Sequence, residues 1–324
     1  MKMPGLAAPG LAAPGLAAFI TAATLVFAAP AFSEASSGQG QAVVTILPSH
    51  PEAEDAKVSV QDVKLKINGK ASTITQWSPL RGPASPVELV LLIDGSARTS
   101  LGEELGDLTD FVKEMPSDTK IAIAYMENGR AVMAGPLSSD SAQVLRSLHL
   151  PGGMAGSSAS PYFCLSDLAK NWPSTDRSAR REVVMITDGV DPYEVHYDPE
   201  DPYVLAAIHD SVRAHLVVYS IYWRSRGRLD NTEYGAVDGQ NLLQEVTEAT
   251  GGYSYWQGTG NPVSFKPYLT DLRRRLRNQY SLSFTSELNG KPQLENMQLK
   301  VAVSSAKVYA PQQVFVNHPG GAGE

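Results

Sequence analysis

Between Val87 and Tyr255, apolar runs alternate with helical periods, and this alternation limits the possible folds more than any other feature of the chain. The runs are VELVLLID, TKIAIAYM, RAVMAG, REVVMITD, HLVVYSIYW and YSYW. VELVLLID lacks the alternation of a half-exposed strand, which places it in a sheet covered on both faces. Strand, helix, strand order implies parallel βαβ units. The expected class is therefore α/β, with a doubly wound, mainly parallel central sheet over residues 86–279.

The helices between the runs have their own signals. Leu101, Leu105, Leu108, Phe111, Val112 and Met115 recur at helical intervals and make one apolar face. Ser100 with Glu103 forms a capping box that would start this helix, and Pro116 would end it. Further helices are expected over 139–149, 161–171, 203–215, 238–250 and 263–278, with Gly251 and Gly252 stopping the one that ends at 250.

The flanking segments read differently. Residues 34–42 are rich in Ser, Gly and Gln and suggest a flexible linker. Over 43–84, Val63, Leu65 and Ile67 alternate with lysines, and Asn68-Gly69 supplies a hairpin turn. RGPASP marks a boundary, and strand patterns return over 280–317. Neither flank has enough strands to bury a face alone, so the two are expected to pack as one small discontinuous β domain. Residues 318–324 read as a disordered tail.

Residues 1–33 have the features of a signal peptide: Lys2, an LAAPG repeat, then AAFITAATLVFAAPA, with small residues at Ala29 and Ala31, or Ala31 and Ser33, as a cleavage site. The expectation is export to the periplasm or the extracellular space, with no membrane span after cleavage. A formal charge of -7 argues against a nucleic-acid partner. The lone cysteine, Cys164, excludes an intramolecular disulfide and a cysteine-rich zinc site. The histidines show no zinc-protease spacing, GGMAGSSAS holds no nucleophile elbow, and PGGMAGSS lacks the ending of a phosphate-binding loop. These absences favour a non-enzymatic binding protein.

Two carboxylates carry the functional reading. Asp94 ends the first run and Asp188 the fourth, and in an open parallel sheet functional groups gather beyond the C-terminal strand ends. If those strands are neighbours, the acids converge and must protonate, bind a cation or pair with a basic group. Ser96 follows Asp94 by two residues, and GGMAGSSASP offers a further hydroxyl from Ser160 or Ser158. Carboxylates and hydroxyls around a hard cation suit Mg²⁺ or another divalent ion. The loop DPYEVHYDPEDPY would lie on the rim. Asp191, Tyr193 and Glu194, together with Arg98 and Ser158, are therefore candidate partner-binding residues.

DGSAR, SSASP and VVMITDG resemble the three segments of the metal-ion-dependent adhesion site of von Willebrand factor A (VWFA) domains: D-x-S-x-S, a loop Thr and T-D-G. VKLKINGKASTITQWSPL, LLQEVTEATGGYSYW and RNQYSLSF are similar to the VWFA-related, acidobacterial-type family of secreted bacterial proteins. The resemblance spans about residues 55–286. It implies a Rossmann-like VWFA fold and a protein partner whose carboxylate completes the coordination of a bound cation. Asp94 and Ser96 match the first motif, Ser160 before Pro161 matches the Thr, and Asp188 matches T-D-G. Arg98 departs from the pattern, standing where the second serine belongs, and an arginine cannot ligate a cation. Either Arg98 turns to solvent and four oxygens hold the metal, or its guanidinium replaces the metal in a salt bridge with Asp94 or Asp188. The second outcome would give a locked, metal-free site on a structural component of an envelope assembly.

Overall fold

The computed structural model describes residues 36–49, 56–82, 84–152, 160–193, 197–224, 233–288, 290–303 and 306–319. The expected signal peptide, Ser158 and Glu194 lie outside the described residues, as does the side chain of Arg98.

The leading strands are β1 (Ser36–Pro48), β2 (Val63–Ile67), β3 (Lys70–Ala71) and β4 (Thr73–Pro79). The alternating section begins with β5 (Val87–Asp94), α1 (Leu105–Glu114), β6 (Thr119–Glu127), β7 (Arg130–Met133), α2 (Ser141–Leu145) and α3 (Pro161–Lys170). It continues with β8 (Arg180–Thr187), α4 (Pro202–Arg213), β9 (Leu216–Tyr222), α5 (Glu233–Thr250), β10 (Ser254–Tyr255) and α6 (Lys266–Arg277). The trailing strands are β11 (Gln279–Leu288), β12 (Gln293–Val301), β13 (Ala306–Tyr309) and β14 (Gln313–Asn317).

The central sheet has the order β10-β9-β8-β5-β6-β7. Its pairs are parallel except for β7, which runs antiparallel to β6 at the edge. Every residue of β5 is buried, which is why VELVLLID has no polar alternation. Leu89, Leu91 and Ile93 face α1 and α6 through Leu108, Phe111, Leu269 and Leu272. Val90 and Leu92 face α3, α4 and α5 through Leu165, Ile208, Leu242 and Val246. Each of these large side chains contributes about 1.5–3 kcal/mol by leaving water.

The first helix differs from its expected form. Residues Arg98–Glu104 wind as a 3-10 turn and the α-helix begins only at Leu105. In this winding Glu104 turns inward, where its carboxylate accepts a hydrogen bond from the Phe265 amide at 3.0 Å and couples α1 to the start of α6. Burial pushes the Glu104 carboxyl above its ordinary range.

The flanks form an eight-stranded antiparallel sheet, β3-β2-β12-β14-β1-β11-β4, with β13 paired to β1. Residues 36–42, expected as a linker, are the first half of β1, paired with β11 from Ser36 opposite Leu288 onward. Their glycines serve close packing. A Cβ on Gly40 would collide with the Phe284 ring, and one on Gly38 with Val316 and Leu288. Asn68 and Gly69 both have positive φ, as a tight hairpin turn requires. Among the described residues no helix is long and apolar enough to cross a membrane.

Candidate functional site

β5 and β8 lie side by side in parallel, with Ile93 opposite Ile186, so Asp94 and Thr187 emerge at the same sheet end. The Thr187 hydroxyl donates to Asp94 Oδ2 at 2.7 Å. Asp94 Oδ1 accepts from the Ser96 amide at 2.8 Å and from the Ser96 hydroxyl at 2.6 Å. Asp188 is the next residue along, its Oδ1 accepting from the Val190 amide at 3.1 Å.

Ser160, at the start of α3, meets the segment that follows Asp188. It is the N-cap of that helix, where its Oγ accepts from the Tyr162 amide at 3.2 Å and Pro161 takes the first helical position. Its hydroxyl donates to Asp191 Oδ2 at 2.7 Å, and Asp191 Oδ1 accepts from the Tyr193 amide at 2.8 Å. Asp94, Ser96, Ser160, Asp188 and Asp191 are each no more than 4% exposed. Asp191, expected on the rim, is instead buried against Ser160.

A hydroxyl ligates a cation through its lone pairs, so its hydrogen must be held by another acceptor. Ser96 gives its hydrogen to Asp94 and Ser160 gives its hydrogen to Asp191. Hydroxyl and carboxylate oxygens are the ligand types that suit a hard divalent cation. Among the described residues no three Asp, Glu, His or Cys side chains gather as a metal-binding group, so a cation here depends on the serine oxygens.

Several contributors were not singled out by their local sequence. Thr187 could pass for an ordinary strand residue, yet its hydroxyl fixes Asp94. Gly189 turns the chain after Asp188 with φ +70°, and Gly239 of α5 presses on that turn. Tyr222 ends β9 opposite Thr187, its hydroxyl buried and without a hydrogen-bond partner among the described residues. Burial pushes this phenol up to about 12, the nearby Asp188 charge adds to the shift, and Arg224 opposes it. On the rim, Tyr193 is 60% exposed and packs with Phe163 and Tyr203 at ring separations of 5.3 and 5.8 Å.

No protein-family model and no curated protein sequence matches this chain. Among solved structures it is similar to an aerotolerance-related membrane protein from Bacteroides fragilis, at 16% identity and TM-score 0.43, covering 59% of this chain and 98% of that one. It is also similar to the conserved hypothetical protein BatB from Bacteroides thetaiotaomicron, at 14% identity and TM-score 0.42, covering 59% and 97%. A third likeness is to the manganese-loaded TRAP protein of Plasmodium vivax, at 12% identity and TM-score 0.37, covering 74% and 98%. Likenesses this distant assign neither a family nor an activity, and the functional reading rests on the residues themselves.

Proposed function

We propose that this chain is an exported, non-enzymatic binding module of VWFA type. It recognises a protein partner at the face formed by Asp94, Ser96, Ser160 and Asp188. The observation that carries the reading is the meeting of Asp94 with the Thr187–Asp188 strand end, together with two serines whose hydrogens are already engaged by carboxylates. Asp94 and Asp188 would supply the negative charge that holds a Mg²⁺ or Mn²⁺ ion, and Ser96 and Ser160 neutral oxygens. The cation would present an electrophilic position to an anionic oxygen of the partner. Tyr193, in its aromatic cluster, would supply contact area beside that position.

Arg98 supports a second reading, because its guanidinium stands in the sequence where the motif expects a serine. In that reading Arg98 takes the place of the metal, and the chain is a structural component of an envelope assembly.

Calorimetric titration of Mg²⁺ and Mn²⁺ into the protein lacking residues 1–33 separates the two. The binding-module reading expects saturable cation binding that weakens at least ten-fold in Asp188→Ala, while the far-ultraviolet circular dichroism spectrum is unchanged. The locked-site reading expects no cation binding until Arg98→Ser restores it. Failure of both the parent protein and Arg98→Ser to bind either ion would remove the metal from this face.

A further inference from the structure

A cavity that shares no lining residue with the Asp94 face lies where α6 and β10 meet the ends of β1 and β13, and has a volume of about 440 Å³. That size accommodates one or two six-membered rings with their substituents. Its walls are phenolic. Tyr255 and Tyr268 stack at 5.3 Å, and Tyr253 meets both Tyr255 and Tyr309 edge-on at 5.0 and 5.7 Å. Tyrosine walls offer flat apolar faces for ring stacking and hydroxyls for polar substituents at little conformational cost.

Among the described residues the charge of the lining is one-sided: Arg274, Arg275 and Lys307 face a single acid, Asp271. Arg275 is the built part of the site. It is 3% exposed, with its guanidinium 3.9 Å from the ring centre of Tyr253 and 4.2 Å from that of Tyr309. Its Nε donates to Asp271 Oδ2 at 2.6 Å, and the Tyr255 hydroxyl donates to the same oxygen at 2.8 Å. Among the described residues its buried Nη1 makes no hydrogen bond. A charged donor buried without an acceptor is costly, and such groups mark places where an acceptor is expected.

We propose that this cavity binds a small carboxylate carried on a six-membered ring. The ring stacks between the tyrosines, and the carboxylate pairs with Arg275, helped by Lys307 at the mouth. Two sources share that chemistry: a hexuronic acid, whose axial C–H faces stack on phenols, and an aromatic acid. The site is independent of cation binding at the Asp94 face and stands or falls separately from it.

The test is calorimetric titration of glucuronate, 4-hydroxybenzoate and glucose into the whole chain at neutral pH. Saturable binding of either carboxylate is expected, with glucose at least ten-fold weaker, and the carboxylate that binds identifies the source. Lys307→Glu is expected to weaken that binding at least five-fold without changing the melting temperature, since Lys307 is exposed. Tyr268→Ala is expected to weaken it as well. The proposal is overturned if neither carboxylate saturates, if glucose binds equally well, or if Lys307→Glu binds as the parent does.

Discussion

Gly239→Ala is expected to destabilise the protein by about 3 kcal/mol and to disorganise the Asp94 face at the same time. A Cβ at this position would fall inside the contact distance of the Asp188 carbonyl oxygen and crowd the backbone of Gly189 and Val190. The obstruction is backbone, which has no alternative rotamer, so α5 would have to lift from the turn that carries Asp188. A Cβ on Gly189 would strike the Gly239 carbonyl in return, and its φ of +70° already disfavours any other residue. The contact is therefore glycine against glycine, and neither side can yield. Gly106→Ala in α1 is the matched control, because a Cβ there meets nothing within 4 Å. That change is expected to stabilise the protein by about 0.5–1 kcal/mol through helix propensity. Urea denaturation of the two variants at one pH checks both signs. A Gly239→Ala variant within about 0.5 kcal/mol of the parent would show that α5 moves freely against the turn.

This contact also shows why part of the architecture was legible in the sequence and part was not. Periodicity within a segment is local information. The apolar runs of β5 and β8, and the apolar faces of α1 and α6, therefore follow from spacing alone, whereas the pairing of β5 with β8, on which the meeting of Asp94 with Thr187 depends, does not. Close approach between distant segments leaves no such trace. Gly38 and Gly40 read as linker residues because glycine favours both flexibility and tight packing, and only the Phe284, Leu288 and Val316 side chains across the sheet decide between them. Gly239 sits mid-helix, where composition alone makes it look like a defect. Helix starts were the weakest expectation. α5 begins at Glu233, five residues before its expected start, and α2 is α-helical only over Ser141–Leu145. At the candidate site, the hydroxyl and carboxylate at each strand end could be listed from the motif spacing. Their pairing could not, and it is the pairing of Ser160 with Asp191 that brings a rim residue into the buried network.

Glu182 leads to the second large effect, a pH dependence of stability set inside the central sheet. It lies on β8, fully buried, with neither carboxylate oxygen hydrogen-bonded among the described residues. Burial pushes its carboxyl from 4.5 up to about 7, against the opposing charge of Arg180 and a weaker contribution from Gln279. Tyr219, also fully buried, has its phenol raised by burial and by the Glu182 charge, so that it stays neutral and cannot compensate. The folded state thus binds the Glu182 proton more tightly than the unfolded chain does. Its contribution to stability is fully present below about pH 4.5 and is lost as pH rises through about 7. A shift from 4.5 to about 7 corresponds to about 3 kcal/mol across that window. His215 acts in the opposite sense. Burial, together with the charges of Arg181 and Arg177, holds its imidazole below the ordinary value, so its contribution is present above about pH 6.5 and is lost on acidification. The two trends overlap, and the parent curve alone does not separate them. Glu182→Gln does, because it removes one titration and leaves the other. Between pH 5 and pH 8 the variant is expected to gain about 2.5 kcal/mol relative to the parent, measured as the change in urea-unfolding free energy difference. The residual curve of the variant then carries the contribution of His215, which rises with pH, against that of the raised Glu104 carboxyl, which falls. Parallel curves for parent and variant would mean that Glu182 stays ionised in the folded protein, held by Arg180 more strongly than its burial opposes.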